Sequence, residues 1–491
     1  MSSAHHPHSL PSLQERHGRA YRWWVLITVM IGTMASIMAS TIVNVALPDM
    51  SHVFALGQER AQWLSAGFMA AVTISMLATP WLLGRFGYRR TYFAAVLLLA
   101  LGGIGGGLGH SFGWVLAMRV VEGLSAGVMQ PIPPVIVLHI FGRTEQGKAM
   151  GIFGFGVVLA PALGPSIGGV LVEHFGWRSI FFVVVPFCLA AFALGLKYLP
   201  HTSPGAERVN QHRRPFDLPG LLLLTVAVLG LLNGLVHLHT PGPYAYGLLT
   251  LGGVTGAAFI WRQRHAEHPL MEFKLFDLRA FRMGGCVAFI YGMALFGSTY
   301  LVPVFMQIAL KLPPSQAGAV LLPAGIVLAF VLPVAGRMAD RYPYNHLVAL
   351  GVALLTASFW LMAFVGLGTA LWVIAAFAII GRIGLGTVLP SLNLGAVRRL
   401  PMHHVAHGSS TINFLRQLGG AVGVSLAGIV LEWRLQVHAD APLRAFHETF
   451  VLLGAICALA IVAGWRMQPA GAGVARRDEA PASEHQPTDI T

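Results

Sequence analysis

The residues of this sequence that could do chemistry are ionisable side chains deep inside long apolar runs, where charge is costly and usually functional. Glu122 lies about ten residues into the run over 112–138, roughly 15 Å deep at 1.5 Å per residue. Arg119 lies one turn earlier on the same helical face. The pair predicts a carboxylate that carries a proton under the control of the guanidinium. The alternative is a fixed ion pair that locks one helix to its neighbours.

Two more arginines, Arg382 and Arg416, lie similarly deep in later apolar runs. With Arg119 they set three cations against one deep carboxylate. They predict attraction of an anionic or weakly acidic substrate, or of the electron-rich end of a drug. The alternative is that the guanidiniums bond to carbonyls of broken helices and hold the fold. The remaining candidates for a cavity lining, which serve equally well as interhelical bonding groups, are Asn44, Gln130, Tyr300, Asn393, Asn413 and Gln417.

The composition indicates that these residues are carried by a polytopic membrane protein. Of the 491 residues, 55% are hydrophobic and 10% are charged, against about 25% charged residues in soluble domains. The excess of 32 Lys and Arg over 19 Asp and Glu fits basic cytoplasmic loops and does not require nucleic acid. Cys188, Cys286 and Cys457 are too far apart for a zinc motif, so no metal site is expected.

Enzyme motifs are absent from the sequence: we find no hydrolase elbow, phosphate loop or metal triad, so no enzymatic activity is expected. The sequence also lacks an ATP-binding signature. Energy for transport must then come from an ion gradient or from the gradient of the substrate itself.

Fourteen apolar runs are long enough to cross a bilayer as helices, which needs roughly 20 residues each. They cover 22–48, 59–83, 91–109, 112–138, 147–172, 178–199, 217–237, 243–261, 283–309, 315–336, 346–366, 369–393, 408–431 and 447–466. We therefore predict an all-α polytopic fold. Its predicted parts are a cytoplasmic tail (1–21), a six-helix bundle (22–199), a two-helix insert with basic connectors (200–275), a second six-helix bundle (276–466) and a disordered tail (467–491).

Basic residues recur at every second connection between the runs. Because such residues favour the cytoplasmic side, both termini and the even-numbered connections are predicted to be cytoplasmic. The residues that carry this pattern are Arg16, Arg19, Arg22, Arg85, Arg89, Arg90, Arg143, Lys148, Arg337, Arg341, Arg398, Arg399, Arg476 and Arg477.

The two predicted bundles share short motifs. The segment 84–87 (Gly-Arg-Phe-Gly) ends the second run, and 340–343 (Asp-Arg-Tyr-Pro) ends the eighth core run at matching offsets. Arg119 and Arg382 each precede a glycine by four residues in corresponding runs. The pattern predicts parallel repeats about an axis along the membrane normal, a design typical of transporters.

The run over 146–178 is unusually rich in glycine and proline for a spanning helix. Small residues allow close approach of a neighbouring helix in lipid. We therefore expect this helix to pack against one from the opposite half, namely the eighth core span, which is the run over 315–336. The residues that set the spacing are Gly151, Gly164, Pro165, Gly168 and Gly169. The spacing resembles the fifth-helix antiporter motif of the major facilitator superfamily, with Ala160 in place of a glycine. In that family the motif marks exporters, so the resemblance implies export.

Over nearly all of 22–466, the chain looks like the fourteen-span drug:proton antiporters of this superfamily, the EmrB/QacA-like group. The matching segments are 40–48 (STIVNVALP), 62–63 (QW), 300–307 (YLVPVFMQ), 316–318 (QAG), 322–323 (LP) and 416–423 (RQLGGAVG). The resemblance implies the major facilitator fold, two six-helix bundles plus a two-helix insert. It also implies the proton as coupling ion with no other cofactor.

Two positions depart from the group pattern. The first-helix signature usually carries an acidic residue where this chain has Ala39, which removes a candidate carboxylate for coupling. The loop motif usually has Asp before Arg, but the first half has Gly84 before Arg85. The second half keeps the pair as Asp340-Arg341, so we expect the cytoplasmic gate, formed by these residues and Arg85, to depend mainly on Asp340.

The leading functional hypothesis is proton-coupled efflux of amphipathic drugs or toxic compounds across a bacterial inner membrane by alternating access. The alternative is transport of one specific metabolite, lipid or organic anion, with or without coupling to an ion gradient. A membrane scaffold is a third class, but a scaffold has no need of the antiporter motif or the buried charges. The expected partners are the bilayer and small amphipathic substrates. The resemblance adds a periplasmic adaptor and an outer-membrane channel as candidates.

Overall fold

The computed structural model describes residues 15–16, 18–56, 58–200, 215–239 and 242–467. The predicted C-terminal tail, most of the predicted N-terminal tail and most of the first basic connector lie outside these ranges. The described part of the chain contains fifteen α-helices and no strand. They are α1 (Tyr21–Val53), α2 (Gln58–Met76), α3 (Thr79–Gly107), α4 (Phe112–Met129), α5 (Ile132–Ile140), α6 (Gln146–Phe175), α7 (Ser179–Tyr198), α8 (Leu218–Val236), α9 (Pro243–His265), α10 (Arg279–Ile308), α11 (Pro314–Arg341), α12 (Tyr344–Met362), α13 (Leu371–Val397), α14 (Val405–Val437) and α15 (Pro442–Arg466).

Proline and glycine account for the breaks within the predicted spans. Helices α4 and α5 form one predicted span that is interrupted at Pro131, which cannot donate a backbone hydrogen bond. Within α3, Gly87 has φ 78° and ψ 171°, a left-handed conformation that few other residues adopt. Two helices therefore meet at Gly87, where the sequence predicts the connection between spans two and three.

The apolar runs become helices because backbone groups in lipid must bond within their own segment. Across the described ranges, twelve segments are long and apolar enough to cross a membrane by length and composition, with α4 and α5 counted as one. Helices α2 and α6 occupy the two remaining predicted runs. The all-helical fold is confirmed, and the count of fourteen spans stays a prediction.

The two halves, α1–α7 and α10–α15, pack alike. In the first half α1 lies against α6 and α7, α2 against α4, and α3 against α4 and α7. In the second half α10 lies against α14 and α15, α11 against α13, and α12 against α13 and α15. The same five pairings therefore recur in the same order, as expected if the two halves are structural repeats.

The insert is the antiparallel pair α8–α9. The pair is close because a Cβ at Gly230 would lie 3.0 Å from the Cα of Gly252. Helix α8 also contacts α2 of the first half and α14 of the second half. The insert therefore lies beside the seam between the halves, on helices that belong to both.

Asp217 holds the two ends of the insert together. Its carboxylate accepts hydrogen bonds from the Gly220 backbone at 3.0 Å, from Arg262 at 2.8 Å and from Gln263 at 2.6 Å. Burial raises the pKa of this carboxyl, but the bonds from Arg262, Gly220 and Gln263 outweigh burial and leave the pKa below its usual value. The ionised form is therefore the one that stabilises the insert.

Asp217→Ala should weaken the docking of α8 on α9 by about 1.5–3 kcal/mol, because it removes charge-assisted hydrogen bonds. The measurement is thermal unfolding in detergent, with the exposed Asp277→Ala as the matched control. The pKa of Asp217 is lower in the folded state, so its contribution is complete above the unfolded value of about 3.9. The difference between wild type and variant should be equal at pH 7 and pH 6, and it should shrink as the pH falls through the folded pKa. A variant that melts like wild type at pH 7 would contradict this role.

Candidate functional site

Arg119 and Glu122 form an ion pair inside the first half. Arg119 donates to Glu122 at 2.6 Å, and each side chain is only 1% exposed. The same guanidinium donates to the carbonyl oxygens of Leu64 at 3.2 Å and Ala39 at 3.0 Å. It also lies over the Phe68 ring, 4.2 Å from the centroid. The side chain of Arg119 thus joins α4 to α1 and α2, and the Glu122 carboxylate compensates its positive charge.

The glycines of α3 make room for Glu122. A Cβ at Gly102 would lie 2.6 Å from the Glu122 Cγ, and one at Gly103 would lie 3.5 Å from its Oε1. The ion pair between Arg119 and Glu122, which the sequence spacing indicated, is therefore present. Its role in proton transfer stays a prediction.

Ala39 takes part in this site through its backbone. The side chain is 1% exposed and offers no carboxylate, but its carbonyl oxygen accepts from Arg119 at 3.0 Å. Helix α1 therefore contributes to the site through the backbone of the position where the family resemblance predicted an acid. Glu122 is the carboxylate that the described residues place beside Arg119.

Polar residues of both halves meet at a second site. Arg416 donates to Gln130 across the halves at 3.3 Å and to Asn413 on its own helix at 3.0 Å. The neighbouring Gln417 amide lies 3.6 Å from the sulfur of Met69, again across the halves. Four of the predicted cavity residues are thus brought together.

The other predicted cavity residues are spread along the helices. Asn44 accepts from Ser65, which lies one turn of α2 from Met69 and hence near the second site. Asn393 lies eleven residues beyond Arg382 on α13, roughly 16 Å along the helix axis. Tyr300, on the long helix α10, is 37% exposed.

Sequence reasoning missed Ser409, which joins the halves. Its hydroxyl donates to the Pro131 carbonyl oxygen at 2.9 Å and is buried. A signal was present, because Ser409 belongs to a short polar stretch, 408–411 (Gly-Ser-Ser-Thr), at the start of an otherwise apolar helix.

Helix α6 of the first half packs closely against α11 of the second half. A Cβ at Gly151 would lie 2.6 Å from the Leu332 carbonyl oxygen and 3.0 Å from the Gly336 Cα. Gly147 and Gly336 also touch backbone to backbone. We call this end of the molecule the basic end, because its loops carry Arg85, Arg143, Arg341 and Arg398. At Gly151, α6 therefore packs against α11, the eighth core span, as expected.

The same expectation is wrong for the other half of α6. A Cβ at Gly164 would lie 2.6 Å from the Thr41 Oγ1, and one at Gly168 would lie 2.7 Å from Ile42 Cγ1, both on α1 of the same half. Around the Cβ position of Gly169, no described atom outside the adjacent backbone of its own helix lies within 4 Å. Pro165 lies within the same helix. The reason is length, since 30 residues of α6 extend about 45 Å and reach different neighbours at each end.

Asp340 joins the two halves at the basic end. Its carboxylate accepts from the backbone N–H groups of Gly147 at 2.6 Å and Lys148 at 2.8 Å, at the N-terminus of α6. Both the unpaired N–H groups and the helix dipole favour a negative charge there. Of the other predicted gate residues, Arg85 and Arg341 are exposed. Neither forms an ion pair with a described residue.

Asp340→Asn should lower the transport rate about tenfold, because the amide has one acceptor where the carboxylate has two and loses the charge. Transport is measured in proteoliposomes, with the exposed Asp277→Asn as the matched control. Cross-linking between cysteines placed at Lys148 and Arg341 reports the closed basic end and should fall with the rate. Unchanged cross-linking and transport would refute the gate role.

Comparison with known proteins gives a consistent assignment. The family model described as Major Facilitator Superfamily matches residues 29–424. The chain is 30% identical over 437 residues to a "Multidrug resistance protein B homolog" of Mycobacterium tuberculosis (strain ATCC 25618 / H37Rv), covering 85% of this chain and 78% of that protein. It is 24% identical over 454 residues to "Riboflavin transporter RibZ" of Clostridioides difficile (strain 630), covering 90% and 96%.

A solved structure shares the fold. The proton:xylose symporter XylE superposes with a TM-score of 0.66 over 92% of this chain and 96% of that chain. The sequence identity is 13%, so the likeness concerns the arrangement of helices and not the substrate.

Proposed function

This chain belongs to the major facilitator superfamily, and we propose that, like the drug:proton antiporters it resembles, it exports amphipathic toxic compounds in exchange for protons. It is a multi-pass membrane transporter, not an enzyme. Three parts of this function are proposals: the coupling ion, the direction of transport and the substrates.

The observation that carries export by alternating access is the contact of α6 with α11. Alternating access needs two halves that close at one end while the other end opens. The glycine contact at Gly151 and Gly336 brings backbones together without interlocking side chains, and Asp340 adds two bonds that can break together. Such a contact suits a gate that forms and separates repeatedly.

Proton coupling is assigned to Glu122. The carboxylate is 1% exposed and has Arg119 as its ionic partner. Protonation would leave Arg119 with the carbonyl oxygens of Ala39 and Leu64 as acceptors. One proton would thus change the bonding between three helices of the first half, which links proton uptake to helix movement.

The remaining assignments follow from the same proposal. The relative from Mycobacterium tuberculosis is named for multidrug resistance, which supports toxic amphipathic substrates. A bacterial inner membrane with both termini in the cytoplasm agrees with the basic residues at one end of the bundle. A periplasmic adaptor and an outer-membrane channel are candidate partners by resemblance.

The second candidate function is transport of one specific metabolite. The similarity to a protein named as a riboflavin transporter favours it, and so do the partly buried arginines of the second half. Such a transporter would recognise one ligand and could work without proton coupling.

The two functions are separated by flux measurements in proteoliposomes with an imposed pH gradient. Proton-driven uptake of several unrelated amphipathic drugs into inside-out vesicles supports export, and saturable exchange of a single metabolite without a pH effect supports the second candidate. Absence of both fluxes, with correctly folded protein, would contradict the proposal.

A further inference from the structure

The second half contains two deep guanidiniums that have no counter-charge in the part of the chain that the structure describes. Among the described residues neither Arg382 nor Arg416 forms an ion pair, although both are only partly exposed. The sequence repeat shows the contrast with the first half. Arg119 has Glu122 three residues later, whereas the residue three positions after Arg382 is Leu385. The first half therefore neutralises its arginine internally, and the second half does not.

Arg416 is held by neutral groups. One terminal nitrogen donates to Gln130 at 3.3 Å and to Asn413 at 3.0 Å. Its Nε is buried and has no hydrogen-bond partner within the described ranges. An amide oxygen is a weaker acceptor than a carboxylate, which can take hydrogen bonds from two guanidinium nitrogens at once. Arg416 thus retains bonding capacity that suits a carboxylate.

Tyr291 connects the two arginines. Its hydroxyl donates to the Leu385 carbonyl oxygen at 3.3 Å, on the turn of α13 that follows Arg382. Beside it, Gly292 brings α10 against the backbone carbonyl of Arg416 on α14. Both guanidiniums also lie close enough to the Tyr291 hydroxyl to act electrostatically on a charge there. The three side chains therefore form one cluster at the meeting point of α10, α13 and α14.

We propose that Arg382, Arg416 and Tyr291 form an anion site that receives the carboxylate of an amphipathic organic acid. The proposal rests on the transport function proposed above and narrows its substrates to one chemical class. A guanidinium withdrawn from water is stabilised by a bound carboxylate, and a bidentate pair also fixes the orientation of the ligand. A cation at the same place is repelled by two like charges, so the site discriminates by sign.

The anion site is linked to the seam between the halves. Gln130 belongs to the first half and Arg416 to the second, so their hydrogen bond helps to join them. A carboxylate that takes the terminal nitrogens of Arg416 displaces the Gln130 oxygen. Anion binding then removes one contact across the seam, and by linkage the formation of that contact weakens anion binding.

The first test compares two probes that differ in the sign of their charge. Binding of 4-(1-pyrenyl)butanoate and of 4-(1-pyrenyl)butylammonium to the purified full-length protein in detergent is followed by energy transfer from tryptophan. We expect the carboxylate to bind at least about tenfold more tightly, a difference of about 1.4 kcal/mol. Equal affinities, or tighter binding of the ammonium probe, would overturn the proposal without any variant.

The second test assigns the selectivity to residues. Arg382→Gln and Arg416→Gln should each weaken carboxylate binding about tenfold and leave the ammonium probe unchanged or bound more tightly. The conservative Arg382→Lys should restore part of the affinity, and the exposed Arg279→Gln is the matched control. Gln130→Ala should strengthen carboxylate binding, because the competing amide is removed. Selectivity that survives both Arg→Gln variants would place the anion elsewhere.

The outcomes distinguish this inference from the proposed function. Proton-driven export of cationic drugs without selective carboxylate binding would refute the anion site and leave the export function standing. Selective carboxylate binding without any proton-driven flux would support the anion site and refute the coupled exporter.

Discussion

Glu122→Gln is expected to abolish proton-driven accumulation of substrate while downhill exchange continues. Glutamine has nearly the same size as glutamate and can still accept a hydrogen bond from Arg119, but it cannot carry a proton. Ala39 leaves the buried part of α1 without an acid, since Asp49 is exposed near the end of that helix. Glu122 is the deeply buried carboxylate of the first half. A transporter that depends on this proton should lose at least about 90% of its uphill flux, a change of about 1.4 kcal/mol or more.

The readouts separate coupling from stability. A buried arginine that loses its charged partner can cost about 3–5 kcal/mol, so thermal unfolding and membrane insertion are measured alongside flux. Glu173→Gln provides the matched control, because Glu173 is exposed near the end of α6. Normal uphill flux in Glu122→Gln would place the coupling elsewhere. Failure to insert would show that the pair with Arg119 is structural.

The sequence was sufficient to predict local features. Long apolar runs must form helices in lipid, so the helix positions follow from hydropathy alone. The pairing of Arg119 with Glu122 follows equally from spacing, because residues three apart share one helical face. In both cases the interacting groups belong to a single segment, so no knowledge of tertiary packing is required.

Contacts between the halves could not be predicted in the same way. The bond of Arg416 to Gln130 joins residues 286 positions apart, and that of Asp340 to Gly147 joins residues 193 apart. The sequence indicated Arg416, Gln130 and Asp340 as candidates, but it could not supply their partners, because these depend on how the halves are placed. The sequence shows which polar residues lie within apolar runs, but it does not show how those residues are arranged in space.

The glycines of α6 show the same limit within one helix. Their spacing indicated a packing helix, but it did not say that Gly151 meets the opposite half while Gly164 meets α1. A helix of 30 residues changes neighbours along its length, and the family motif does not encode that change. The structure therefore divides one motif into two regions that pack against different helices.

Gly151→Leu is expected to reduce transport at least about tenfold without lowering stability to the same degree. A Cβ at Gly151 would already lie 2.6 Å from the Leu332 carbonyl oxygen, so a leucine keeps α6 and α11 apart and prevents closure of the basic end. Each 1.4 kcal/mol of added repulsion shifts the population of the closed state about tenfold. Flux in proteoliposomes and cross-linking between positions 148 and 341 should fall together.

Two matched variants on the same helix decide whether this effect belongs to the seam. Gly169→Leu adds the same side chain where no described atom outside the adjacent backbone of α6 lies within 4 Å of the Cβ position, so it should transport normally. Gly164→Leu meets Thr41 within the first half, so it should lower the melting temperature and leave the cross-linking of the remaining folded protein unchanged. If all three variants lost transport and stability alike, the glycines of α6 would act in general helix packing. If only Gly151→Leu lost cross-linking, the contact of α6 with α11 would be the gate of the transporter.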